Sequence, residues 1–148
     1  MSDLTWDEVA QRFSEAQNWW VATTGESGPH AVPVWGVVVD AALHFYGEDS
    51  TARSRNLAHD ARLVLHLESG SDVLVVHGTA ARGEAAGAYP RVNAAYAAKY
   101  TDPTDVEYLP DAPGMEGARL WTVRPTKAIA WKLGSSEEWV NRRWRSTA

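Results

Sequence analysis

Two short apolar runs, residues 31–39 and 43–46, stand on either side of the break Asp40-Ala41-Ala42. They lead directly into a polar segment, Glu48-Asp49-Ser50-Thr51, and then into Arg53 and Arg55. A chain carrying two β-forming runs so close together folds back on itself as a hairpin. The same rhythm recurs along the sequence. Residues 19–24 are aromatic and β-branched and precede the turn Gly25-Glu26-Ser27-Gly28. Residues 62–68 place Leu63, Leu65 and Leu67 on one face, and Gly70-Ser71-Asp72 turns the chain into a further strand over 73–81. Strands at 118–123 and 127–133 flank Pro125. Pro33 lacks an amide hydrogen and needs an edge or a bulge, and Gly36 adds a bend to the strand over 30–39. Closely spaced strands with short turns predict an antiparallel barrel or sandwich.

Three segments read as helical. Thr5-x-x-Glu8 is a capping box, followed by Trp6, Val9 or Ala10, and Phe13 at helical spacing, which predicts a helix over 6–17 ending at Asn18. Residues 50–58 form a short helix with Ser50 or Thr51 as its cap. Within 84–100, Val92, Tyr96 and Lys99 recur at helical spacing and Pro90 suits a first turn. Residues 101–117 hold three prolines and five acids and read as a long loop, either a surface insertion or a binding loop.

The 148 residues suffice for one domain, 1–148, that buries roughly 70% of its unfolded surface. With no cysteine, disulfides, thiolate nucleophiles and Cys-ligated metal centres are excluded. The net charge of −5 argues against a nucleic-acid partner, although Arg53/Arg55 and Arg142/Arg143/Arg145 form local basic clusters. No signal peptide is visible, and no run approaches the roughly 18 apolar residues of a membrane helix. The expectation is a cytoplasmic protein with no membrane partner.

The candidate chemistry is sparse. No HExxH, GxSxG, Walker or GxGxxG motif occurs. His44, His66 and His77 have the parity to share a sheet face and bind zinc or haem iron, but their spacing fixes no geometry, and no metal site is assigned. Phosphate binding has more support. Ser50 and Thr51 supply hydroxyls, a helix start supplies free amides, and Arg53 and Arg55 supply forked donors. The alternative is a solvated helix whose arginines pair with Asp49 or Asp60. Eight tryptophans serve either as core or as walls for a flat ligand.

Several segments together resemble the pyridoxamine 5'-phosphate oxidase-like, FMN-binding split-barrel superfamily. They are WWVATTGESGPHAVPVWGVVVDAALHFY, STARSRNLAHDARLVLHLE, VVHGTAARG, AAYAAKY, VRPTKAIAW and WVNRRWR. The resemblance is nearest to actinobacterial branches that include deazaflavin (F420)-dependent reductases. It implies a mainly β (α+β) fold, a six-stranded antiparallel split β-barrel with peripheral helices, assembled as a homodimer with two interfacial cofactor sites. It implies FMN or F420 as cofactor, with Ser50, Arg53 and Arg55, and secondarily Thr51, on the phosphate. His30, Pro33, Val34 and Trp35 would lie beside the ring, and Trp144 and Arg145 would reach the partner's site. Arg53 stands where lysine is common, and residues that would bind vitamin B6 are not recognisable. The implied activity is transfer of hydride or electrons to a small organic substrate. A non-catalytic FMN-, F420- or haem-binding protein is the alternative. No catalytic residue is assigned; His30 and Tyr46 are candidates for a proton donor.

Overall fold

The predicted strand over 30–39 breaks in two at Trp35-Gly36, and that corner organises the architecture. The computed structural model describes residues 3–134 and 141–147. Its helices are α1 (Trp6–Glu15), α2 (Ala52–His59) and α3 (Pro90–Lys99). Its strands are β1 (Trp19–Gly25), β2 (Gly28–Val34), β3 (Val37–Val39), β4 (Ala42–Glu48), β5 (Arg62–His66), β6 (Asp72–Ala85), β7 (Ala118–Lys132) and β8 (Arg142–Arg145). All strands pair antiparallel in one sheet, ordered β2-β1-β5-β6-β7-β4-β3, with β8 also on β7. The fold is the expected α+β split barrel, built from eight strands rather than six. β2 and β3 are the two ends of this order, yet only Trp35 and Gly36 separate them in the chain. The sheet therefore curls until its ends meet, and the chain, not a hydrogen-bond ladder, closes the seam.

Gly36 is required at that seam. A Cβ there would overlap the indole of Trp19, which is fully buried and donates its Nε1–H to the Phe13 carbonyl at 2.9 Å. The Gly36 amide donates to the Tyr100 hydroxyl at 2.9 Å, and its carbonyl accepts from Lys99 Nζ at 2.6 Å. Pro33 is tolerated because β2 is an edge strand, paired only with β1.

Alternation puts Trp19, Val21, Leu43, Phe45, Leu63, Leu65, Leu74 and Val76 into the main core beneath α1. A second cluster, Val37, Val92, Tyr96, Tyr100 and Leu120, lies under α3. The two strands expected around Pro125 are one. Pairing runs His77↔Lys127 and then Gly78↔Pro125, so β7 carries one extra residue at this bulge. The Thr126 hydroxyl donates to the His77 carbonyl at 3.1 Å. The slip changes the parity of β7, so that Trp121 and Val123 before it and Ala128 and Ala130 after it all face inward. Gly78 has no room for a Cβ, which would strike the Arg124 carbonyl.

Local signals explain the helices. Thr5 caps α1 by accepting from the Glu8 amide, while the Glu8 carboxylate takes both Arg142 nitrogens at 2.9 and 3.0 Å and ties α1 to β8. Pro90 occupies the first turn of α3. The long loop is not structureless. Asp102 caps a 3-10 turn, Pro103–Tyr108. The β3–β4 hairpin turns on Asp40 and Ala41, both at positive φ (51° and 61°). Tertiary contacts hold that turn: Arg91 grips the Asp40 carboxylate, and Trp6 Nε1 donates to the Ala41 carbonyl at 2.7 Å. Trp139, expected in the closing segment, lies outside the described residues. No described helix is long and apolar enough to cross a membrane.

Two outcomes test the seam. Gly36→Ala overpacks Trp19 and is expected to cost about 1–3 kcal/mol, read as a lowered urea midpoint. Lys99 is half-buried, and burial lowers its pKa from 10.5 to about 8. The unfolded chain thus holds this proton over a window where the folded chain has released it, so its linkage term makes stability rise between pH 8 and 10.5. Urea midpoints of wild type should gain on those of Lys99→Met across that window; parallel curves would show that Lys99 does not titrate there.

Candidate functional site

The α2 start is built as its sequence suggests, with Thr51 rather than Ser50 as the cap. Thr51 Oγ1 accepts from the Ser54 amide at 3.1 Å and sits 3.0 Å from the Glu48 carbonyl. Ser50 is exposed, and its carbonyl accepts from Arg55. Arg53 and Arg55 are two residues apart, so a helix turns them to opposite sides. Asp49 pairs with Arg82 at 2.6 Å and Asp60 with Arg62 at 2.7 Å, so neither neutralises the α2 arginines. Among the described residues, Arg53 and Arg55 make no ion pair.

Arg53 turns inward. Its Nη2 donates to the Tyr46 carbonyl at 3.3 Å, and its guanidinium lies 5.6 Å from the centre of the Phe45 ring. Its Nε is buried with no hydrogen-bond partner, and burial pulls its pKa down. Gly47 makes room for it; a Cβ there would stand 2.6 Å from Nη2.

Arg55 turns the other way, into a cavity of about 470 Å³. His30, Asn56, His59 and the Gly25–Pro29 turn also line it, with Glu26 as its one carboxylate. His30 Nδ1 is buried and has no hydrogen-bond partner among the described residues. Asn56 fixes α2 to β1 by donating to Thr23 Oγ1 at 3.1 Å.

Pro29 is shared with a second cavity of about 610 Å³, which crosses β1, β5, β6 and β7 past Ala22, Val64, His77 and Lys127. His77 and Lys127 are in turn shared with a cleft of about 180 Å³ lined by Ile129, Trp144 and Arg145. The three make one continuous groove along the sheet, basic at both ends. Burial, and then Lys127, lower the His77 pKa, so its imidazole is neutral at ordinary pH.

The predicted site residues thus fall into groups. His30 and Arg55 share one end of the groove, and Trp144 and Arg145 line the other. Trp144 also packs against Trp6, with ring centres 4.8 Å apart. Val34 is buried in the core, and Pro33 is exposed on the opposite face of β2. Trp35 belongs to the α3 side, stacked on Tyr100 at 4.3 Å. Tyr46 donates to Asn93 Oδ1 at 2.7 Å, and burial pushes its pKa up to about 12. The histidines do not converge: His44 meets Thr122 Oγ1 at 3.0 Å, and His66 stacks on Trp20. Among the described residues no group of three His, Cys, Asp or Glu is placed to hold a metal. Sequence reasoning missed Asn56, His59 and Lys127, and weighed His77 only as a ligand to zinc or haem iron. The spacing of Arg55 and His59 on one helix face was a usable signal. The approach of His77 to Lys127 depends on register and had none.

A family model described as pyridoxamine 5'-phosphate oxidase matches residues 5–132. The chain belongs to that family. Among solved structures, this family member is similar to the conserved hypothetical protein Rv2991 from Mycobacterium tuberculosis, at 21% identity over 93% of this chain and 92% of that one, with a TM-score of 0.73. It is similar to an F420 reductase at 17% identity, covering 80% of this chain and 94% of that one, TM-score 0.59. It is similar to a haem-binding protein from Mycobacterium smegmatis at 20% identity, covering 95% of this chain and 59% of that one, TM-score 0.64. At these identities the likeness shows the split-barrel fold. No curated protein sequence matches this family member.

The two arginines should separate experimentally. Arg53 is a half-buried cation with no counterion among the described residues, so Arg53→Met is expected to leave the urea midpoint unchanged or raise it, because an uncompensated charge is removed. Arg55→Ala, at an exposed position, should shift stability by less than about 0.5 kcal/mol.

Proposed function

We propose that this protein is a cytoplasmic, homodimeric oxidoreductase that holds FMN or F420 in the groove and serves a small, partly apolar substrate. The observation that carries this reading is the Arg55 cavity. It combines an arginine without an ion-pair partner among the described residues, two histidines, an orphaned imidazole nitrogen and the start of α2. That donor set suits a phosphate, and the apolar sheet face beyond Pro29 suits a flat ring. Family membership and the likeness to an F420 reductase support the cofactor class without choosing between the two.

In this reading Arg55, with Asn56 and the Ser50 turn, binds the phosphate. His30 donates a hydrogen bond from its unpartnered nitrogen. Ala22, Val64 and the Thr126 bulge orient the ring and exclude water. Trp144 and Arg145 complete the site across the dimer, while Arg53 holds α2 against β4. The bound cofactor supplies hydride or electron transfer. A second reading, haem binding without catalysis, draws on neutral His77 in the same groove and on the likeness to a haem-binding protein.

Titration of the purified protein with FMN, F420 and haem, followed by visible absorbance, distinguishes these. Arg55→Ala is expected to weaken FMN or F420 binding at least about tenfold, a loss of about 1.4 kcal/mol. Arg53→Met should bind as wild type does. The opposite ranking would move the phosphate to Arg53. A Soret band abolished by His77→Ala would establish the second reading.

A further inference from the structure

The cluster under α3 contains a feature that the groove does not use: a continuous file of oxidisable rings. Tyr46 lies 5.6 Å from Tyr96, centre to centre, and Tyr96 lies 5.7 Å from Tyr100. Tyr100 is stacked on Trp35 at 4.3 Å and 8° between planes. Trp35 meets Tyr108 edge-on at 6.5 Å. Tyr46 is half-buried and Tyr96 and Tyr100 are buried, whereas Tyr108 is 57% exposed on the Asp102-capped turn.

The hydroxyl partners decide where a missing electron can rest. A phenol gives up its proton when it is oxidised, so a tyrosine is a good terminus only beside a base or water. Tyr96 donates to the Trp35 carbonyl at 2.9 Å, Tyr100 to the carbonyls of Gln17 and Gly36, and Tyr46 to the Asn93 amide oxygen. None of these acceptors takes up a proton. An indole is oxidised to a radical cation without losing one, which makes Trp35 the internal stopping point. Tyr108 alone stands at the surface, 57% exposed, where water can take up its proton.

We propose that Trp35 and Tyr108 form the exit of a hole-transfer path that carries one-electron oxidising equivalents from the interior to the surface. A one-electron radical oxidant takes an electron from Trp35 and is itself reduced. Tyr108 returns that electron to the indole radical cation, and its phenolic proton passes to water. The balance is one electron to the oxidant, one proton to solvent and a phenoxyl radical at Tyr108, where a soluble reductant can quench it. The path stands on ring geometry and is independent of which cofactor fills the groove.

Pulse radiolysis with the azide radical, which oxidises indole in preference to phenol, tests it on the whole protein. Wild type should show indolyl absorbance decaying as phenoxyl absorbance rises, at a first-order rate independent of protein concentration. Tyr108→Phe alters an exposed ring and leaves the core packing intact; it should abolish most of the phenoxyl yield. Trp35→Phe, which keeps a ring over Tyr100, should do the same. A Tyr108→Phe protein with wild-type rate and yield would overturn the path, as would a Trp35→Phe protein with wild-type phenoxyl yield.

Discussion

The packing of Trp19 against a bare Gly36 backbone is the contact on which the rest of this structure depends. A sheet ordered β2-β1-β5-β6-β7-β4-β3 has its first and last strands adjacent in sequence. Two residues must therefore bridge opposite edges, and the sheet has to curl to let them. The indole fills the space where a Gly36 side chain would be, and Tyr100 and Lys99 satisfy the Gly36 amide and carbonyl that no neighbouring strand can reach. Buried backbone groups left without partners would cost the seam dearly. The aromatic cluster under α3 is thus the other half of the same closure, and Trp35 is stacked on Tyr100 because the corner sits there.

The groove depends on a second irregularity. Without the extra residue at Thr126, β7 would keep one parity along its length, and either Trp121 and Val123 or Ala128 and Ala130 would face solvent. The bulge lets a single strand serve β4 along its first half and β8 along its second while its apolar side chains stay inside. It also opens the ladder beside His77 and Lys127, where the largest stretch of groove meets the cleft on β8. The requirement for a glycine at position 78 follows from the same slip.

Much of this was legible in the sequence. Thr5-x-x-Glu8, Pro90 and the alternating Leu63 and Leu65 are local signals, and local structure obeyed them. Pro33 and Gly36 announced a bend, and Arg53 and Arg55 announced a basic helix start. What the sequence could not convey were facts of register and seam. The pairing of His77 with Lys127 depends on a bulge, and the union of 118–123 with 127–133 depends on the same bulge accommodating Pro125. Asp40-Ala41 carries no glycine or asparagine to signal its positive φ, because Arg91 and Trp6 hold that turn from outside. Thr51 outcompeted Ser50 as cap, because its hydroxyl sits three residues before the Ser54 amide it accepts from.

The division of Arg53 from Arg55 follows from helix geometry alone. Residues two apart on a helix cannot face one ligand, so a sequence that sets two arginines there assigns them different neighbours. Arg55 remains hydrated beside two histidines and can pair with an incoming anion at little cost. Arg53 has already lost most of its water to Phe45 and Tyr46 and, among the described residues, has gained no carboxylate in return. Its Nε lacks even a carbonyl. A cation held this way is expensive, and Gly47 gives up its side chain to accommodate it. The ring of Phe45 and the Tyr46 carbonyl offset part of that cost, and they do so by pinning the first turn of α2 to β4. Arg53 thus belongs to the packing of α2 on β4 and Arg55 to the cavity, so the two arginines have separate neighbours and are not equal ligands.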